Sequence, residues 1–209
     1  MNRTRRLFFA LDFSTPDNAQ AKAEIVTLKQ ALSPLGHPVP DDNLHLTLAF
    51  LGNVSQQDYV ALCRAADKID ASAFSLRTAS LGYFNKPQIL WLGIHPSVEL
   101  QRLAETINTL SQAVLNIDKG DTPNAPNFLP HISLLRQVKP GAIDNTKDEY
   151  KEGISSLLTV QRFGLYASAP HPTRKGVQYT CLNAWALRIA TPKHLSELPP
   201  NSPKDDHEF

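Results

Sequence analysis

Two short segments carry the residues best suited to chemistry: His45-Leu46-Thr47-Leu48 and His131-Ile132-Ser133-Leu134. With 7 His and 27 Ser+Thr among 209 residues, the bare pattern H-x-[ST] arises about once by chance, so the surroundings must carry the argument. His95-Pro96-Ser97 and His171-Pro172-Thr173 place proline between the two side chains, where strand alternation is lost. In the His45 and His131 segments the intervening residues are apolar, so imidazole and hydroxyl share one face of a strand while leucine or isoleucine packs behind. Such a face suits phosphodiester cleavage by water. One imidazole takes the proton of water and a second protonates the leaving oxygen, because groups near pKa 6.5 can hold opposite protonation states together. Each role is typically worth roughly 10² to 10⁴ in rate. The hydroxyl two residues along can donate to a non-bridging phosphate oxygen. The chemistry needs no metal, and the chain has no H-E-x-x-H, no paired-cysteine motif and no phosphate-cradling G-x-x-x-x-G-K-[ST].

The elements that would position these residues are legible around them. Leu7 to Phe13 is an apolar and aromatic run that predicts a strand. Thr15 as N-cap and Pro16 as first helical residue introduce a helix from Asp17 to Leu32, with Ala21, Ile25, Leu28 and Leu32 on one face. Leu44 to Leu51 alternates as a strand, and Ser55 with Asp58 forms a capping-box start for a helix to about Ile69. Further on, Phe74 to Phe84 and Gln88 to Ile94 read as strands joined at Asn85-Lys86-Pro87. Ser97 caps a helix carrying Leu100, Leu103, Ile107, Leu110 and Val114, and Asn116 to Asn127 is a loop. Strands follow at Leu129 to Val138, Leu158 to Ala167 and Val177 to Ile189, with a polar excursion from Lys139 to Gly153. Both halves thus repeat strand, helix, histidine-led strand: His45 lies 38 positions beyond Leu7, and His131 lies 42 beyond Ile89. This pattern predicts a diverged duplication whose two lobes each bring one histidine to a cleft.

Composition limits the partners. With 21 Lys+Arg against 20 Asp+Glu and a formal charge of +1, the chain lacks the cationic surplus for gripping a long phosphate backbone, so any nucleic acid is held by a short piece. Cys63 and Cys181 lie far apart in no metal-ligand spacing, which favours free thiols in a reducing compartment. The Leu7–Leu11 run is too short for a secretory core, and no segment reaches membrane-span length. The expectation is a cytoplasmic monomer. Residues 1–192 would form one two-lobed domain, and the Pro-rich, charged stretch 193–209 a disordered tail.

At RLFFALD, DNLHLTLAFLG, PHISLLR, LYAS and WAL, from about Arg6 to Leu187, the chain resembles the two-histidine phosphoesterase superfamily. The likeness is to its bacterial RNA 2',3'-cyclic phosphodiesterase (LigT-like) branch, formerly named 2'-5' RNA ligase. The resemblance implies an α+β, bilobal, pseudo-twofold fold of two antiparallel sheets flanked by helices, with a central cleft. It implies hydrolysis of RNA 2',3'-cyclic phosphate ends to 2'-phosphomonoesters without metal or other cofactor. Substrates would be RNA 3' ends or small cyclic nucleotides. Carried over by position, His45 is the general acid on O3' and His131 the general base. Thr47, Ser133 and Arg136 then bind the phosphate, and Phe50 stacks on the terminal base. Ser133 stands where the family more often has threonine, and the hydroxyl is kept.

One tension accompanies this assignment. Strict alternation puts Phe50 and Arg136, five residues after each histidine, on the opposite face, so both strands must bulge, twist or end for them to reach the same ligand. The remaining histidines, His37, His95, His171, His194 and His207, read as ordinary polar residues. Phe8, Phe9 and Trp91 read as core, and Arg162, Arg174, Lys175 and Arg188 as a solvated face rather than an RNA landing site. Two alternatives remain: reversible 2'-5' RNA ligation, with the acid and base roles exchanged, and a non-catalytic RNA phosphate-end binding module.

Overall fold

The computed structural model describes residues 4–116, 128–142, 153–173 and 175–189. The loop expected over 116–127, apart from Asn116, most of the 139–153 excursion, Arg174 and the 193–209 tail lie outside the described residues. The chain is α+β. Among the described residues nine strands run in antiparallel pairs: β1 (Arg5–Asp12), β2 (His37–Pro38), β3 (His45–Val54), β4 (Phe74–Phe84), β5 (Ile89–Ile94), β6 (His131–Arg136), β7 (Leu157–Val160), β8 (Arg162–Pro170) and β9 (Val177–Ala186). Three α-helices accompany them among the described residues: α1 (Ala19–Leu32), α2 (Gln56–Ala66) and α3 (Val98–Leu115).

The strand order is β7-β4-β5-β6-β3-β1-β8-β9, with the short β2 pairing onto β6. The path is symmetric about its middle: four strands lie on each side of the β6/β3 junction. That junction is made at one register pair, Leu46 opposite Ile132, the residues immediately after the two histidines. The two expected sheets are therefore joined into one curled path at the pseudo-twofold axis. Both joint residues are fully buried. Each crossover helix serves the other half as well, α3 packing on β3 and α1 on β6. Leu7, Phe9 and Leu11 of β1, Ile25, Leu28 and Leu32 of α1, and Leu100, Leu103 and Ile107 of α3 meet in one apolar core.

Local signals explain most boundaries. Ser55 Oγ accepts from Asp58 N–H at 3.1 Å and Ser97 Oγ from Leu100 N–H at 3.2 Å, capping α2 and α3. Thr15 precedes a 3-10 turn at Pro16–Asn18 and makes no side-chain cap. Its hydroxyl accepts instead from Asn18 Nδ2, while the buried Asn18 amide also spans to the backbone of Thr159. The strand expected over Leu158–Ala167 is two strands. The chain passes from one half to the other at Gln161, so that β7 pairs with β4 and β8 with β1. The adjacent polar pair Gln161-Arg162 marks this break, because it shifts the alternation from Leu158 and Val160 to Phe163 and Leu165. β2 was not expected either, since a two-residue strand in a turn-rich stretch carries no periodic signal. Among the described residues no helix is long and apolar enough to cross a membrane.

Candidate active site

On each side of the Leu46–Ile132 joint, the period of two places His45 and Thr47 of β3, and His131 and Ser133 of β6, on the face away from the core. The pleat is then interrupted identically in both strands. In β3, Thr47 pairs with Ala10 and Ala49 with Phe9, leaving Leu48 without a ladder partner. In β6, Ser133 pairs with Trp91 and Leu135 with Leu90, leaving Leu134 without one. These are β-bulges three residues after each histidine, and each makes two consecutive residues face the core. Leu48 and Ala49 are both buried, as are Leu134 and Leu135, and the residue that emerges next is Phe50 or Arg136. The bulges thus return both residues to the histidine face, which resolves the tension left by strict alternation.

The carbonyls of the two extra residues find partners outside the β1 and β5 ladders. Asn108 Nδ2 of α3 donates to Leu48 O at 3.0 Å, and Val39 N–H donates to Leu134 O at 2.8 Å. Buried carbonyls left unpaired would cost stability, so these contacts help to hold the bulges in place.

The imidazoles are anchored alike. His45 Nδ1 lies 2.6 Å from the carbonyl of Asn43, and His131 Nδ1 lies 2.8 Å from that of Leu129. A carbonyl can only accept, so each Nδ1 carries the proton and each Nε2 is the working nitrogen. His45 Nε2 meets Thr47 Oγ1 at 3.0 Å. The aromatic surroundings are matched too. Phe8 and Tyr179 stand 5.1 Å from the His45 ring, and Phe84 and Trp91 stand 5.0 and 5.7 Å from the His131 ring. Burial depresses the His45 pKa to about 4, and the nearby His131 and Arg136 charges add to the depression, against the hydrogen bond to Asn43. Burial also lowers His131, against the hydrogen bond to Leu129. Both rings are therefore neutral in the unliganded site at neutral pH.

Arg136 Nη2 reaches across to the Tyr179 hydroxyl at 3.5 Å. Phe50 is 52% exposed, its ring 6.2 Å from that of Phe8, and so offers a free aromatic surface at the cleft. Further along the same face, Asp12 lies opposite His45 in the β1–β3 register. Its carboxylate accepts from Tyr166, Arg162 and Ser14. Burial alone would raise its pKa, but these hydrogen bonds prevail and hold it at about 2. Gly164 makes room for this arrangement, since a Cβ there would meet the Tyr166 ring at 2.7 Å.

All six residues singled out from sequence are thus gathered on one face. Phe9 belongs to the main core and Phe8 to a smaller buried cluster with Ala10 and Tyr166, from which it also meets His45; Trp91, expected in the core, is only half-buried and lines His131 instead. Of the cations, Arg162 pairs with Asp12 and Arg188 with Asp70, as expected of scattered charges rather than a landing site. Sequence reasoning missed Tyr179, Asn43 and Asn108. The adjacency of Asn43 to the first motif was the one available hint. Among the described residues no three His, Cys, Asp or Glu side chains gather as a metal site would require.

The fold and this two-histidine cleft define a class, and the family model of the 2'-5' RNA ligase superfamily matches residues 15–171. The chain belongs to that superfamily. It is 34% identical over 190 residues to the RNA 2',3'-cyclic phosphodiesterase of Escherichia coli, covering 90% of this chain and 99% of that one. To the enzyme of the same name from Thermus thermophilus it is 29% identical over 219 residues, covering 96% and 100%. The crystal structure of Escherichia coli LigT complexed with 3'-AMP superposes with a TM-score of 0.72 at 32% identity, over 88% of this chain and 98% of that one.

Proposed function

We propose that this protein is an RNA 2',3'-cyclic phosphodiesterase that opens terminal cyclic phosphates to 2'-phosphomonoesters, with His45 as acid and His131 as base. The observation that carries the reading is the matched pair of imidazoles. Each is locked through Nδ1 onto a backbone carbonyl, and one comes from each half of a single cleft. The names of the relatives at 34% and 29% identity point the same way.

In this reading His131 Nε2 takes a proton from water as the oxygen attacks phosphorus, and the proton on His45 Nε2 passes to the departing O3'. The neutral His45 of the free site becomes more basic once the cyclic phosphate places its negative charge beside Nε2. Substrate binding and loading of the acid are thereby linked. The forked guanidinium of Arg136 suits two phosphate oxygens, and the Thr47 and Ser133 hydroxyls can donate to others. Phe50 offers a stacking platform to the terminal base. Every proton transfer is assigned to a side chain, so the scheme calls for no metal. The site draws both motifs from one chain, which supports a monomer. The two cysteines are unpaired, in keeping with a reducing compartment such as the cytoplasm. A balanced surface charge suits recognition of an RNA terminus or a small cyclic nucleotide rather than a long strand.

The test is a short RNA ending in a 2',3'-cyclic phosphate, incubated with the protein in EDTA. The expected product is the 2'-phosphomonoester. Unchanged ends would sink the reading, and a 3'-phosphomonoester would reverse the identity of the leaving oxygen. The same histidines could pass the phosphate to the 5'-hydroxyl of a second RNA in place of water, the base taking that hydroxyl's proton and the acid protonating O3', to leave a 2'-5' linkage; added acceptor RNA with joined products would reveal that.

A further inference from the structure

Tyr179 stands where none of the expected roles required a residue. Its ring edge meets His45 at 5.1 Å and Phe8 at 4.9 Å, so it forms one wall beside the first motif. Its hydroxyl lies 3.5 Å from Arg136 Nη2, which belongs to the second motif. In that contact the guanidinium donates and the phenol oxygen accepts, so the single phenolic proton is not spent. Among the described residues the Tyr179 hydroxyl has no acceptor. A free donor thus stands between the arginine and the histidine that would flank the phosphate.

The position of Tyr179 is set by a buried residue. Asn43, 5% exposed, accepts through Oδ1 from Tyr179 N–H at 3.2 Å and donates through Nδ2 to Val177 O at 2.8 Å. Its own carbonyl accepts from His45 Nδ1 at 2.6 Å. One side chain and its backbone therefore tie the start of β9 to the histidine. Tyr179 cannot shift relative to His45 without breaking a hydrogen bond of a buried amide, which is costly.

Resting on the phosphodiesterase reading, we propose that Tyr179 is a further phosphate-binding residue. Its hydroxyl donates to a non-bridging oxygen of the bound phosphate while accepting from Arg136, and Asn43 is the positioning residue that holds it there. A donor to an anion fixed in advance by buried contacts needs little reorganisation when the substrate arrives.

Tyr179→Phe removes the hydroxyl and keeps the ring against His45 and Phe8. Dissociation constants for 2'-AMP and for adenosine, measured by calorimetry with the full-length protein, read the proposal. Loss of one hydrogen bond to a charged group weakens binding about 10- to 100-fold. That loss is expected for 2'-AMP, with adenosine unchanged and a similar fall in kcat/KM for a 2',3'-cyclic nucleotide. Unchanged 2'-AMP affinity would overturn the proposal, and so would equal weakening of both ligands, which would mean that the variant had disturbed the cleft as a whole. Asn43→Ala supplies the second variant. It should weaken 2'-AMP binding, whereas wild-type affinity would remove Asn43 from the positioning role. Binding and turnover separate the two readings: wild-type protein that binds 2'-AMP through Tyr179 yet leaves cyclic phosphates intact would refute the hydrolase and leave the phosphate contact standing.

Discussion

The depressed basicity of the two histidines makes the pH dependence of the reaction a quantitative test. In the free protein His45 sits at about 4 and His131 below its usual value, both through burial. Productive encounter needs one proton shared between the two rings, so kcat/KM should peak at acidic pH and its alkaline limb should lie below the ordinary imidazole value of about 6.5. The bound cyclic phosphate changes this. One negative charge about 4 Å from an imidazole, at an effective dielectric of about 20, is worth roughly 4 kcal/mol. At about 1.4 kcal/mol per pKa unit, that raises His45 by about three units, to near 7. The alkaline limb of kcat should therefore lie on the order of one to three units above that of kcat/KM. The assay is initial-rate hydrolysis of a 2',3'-cyclic nucleotide from pH 4 to 9 at constant ionic strength in EDTA. Coincident limbs, or a kcat/KM still rising between pH 7 and 8, would refute the electrostatic reasoning.

Three further outcomes follow from particular contacts. Asp12→Asn should cost about 2 kcal/mol at neutral pH, from the drop of the Asp12 pKa from 3.8 to about 2. A carboxylate whose pKa is lowered on folding stabilises above its unfolded value and loses that contribution as pH falls, so the gap between wild type and variant in thermal denaturation should close between about pH 4 and 2; a gap independent of pH would contradict this. Phe50→Ala should raise KM for cyclic nucleotides roughly tenfold, the worth of one stacked base, while leaving a base-free ribose 2',3'-cyclic phosphate unaffected; equal effects on both substrates would remove the stacking role. Leu46→Ala, at the fully buried joint between the halves, should lower stability in urea by about 2 to 5 kcal/mol, and a loss under 1 kcal/mol would mean that the joint is not under packing constraint.

Much of this architecture could be read from the residues because it rests on short-range rules. Ser55 and Ser97 cap helices as their spacing requires, and Phe74–Phe84 spans its strand end to end. Alternation placed His45 with Thr47 and His131 with Ser133 correctly. It failed for Phe50 and Arg136 because a bulge changes the phase of the pleat, and its partners, Asn108 and Val39, are distant in sequence. A signal was nevertheless present: the adjacent apolar pairs Leu48-Ala49 and Leu134-Leu135 break the alternation at the same place in both motifs. Trp91 reads as core from the sequence because an aromatic residue in a strand gives no sign of which face it occupies. Tyr179 and Asn43 meet only through the pairing of β8 with β9 and the docking of β9 beside the first motif, which no local pattern encodes.

The cooperation of the two histidines can be measured directly with His45→Ala, His131→Ala and the double variant on an RNA 2',3'-cyclic phosphate in EDTA. Each single variant should lose about 10² to 10⁴ in kcat. Because groups acting on one phosphate work as a unit, the double variant should be no more than a few-fold slower than the worse single variant. Wild-type turnover by either single variant, or losses that multiply in the double variant, would contradict a joint acid and base at one phosphorus.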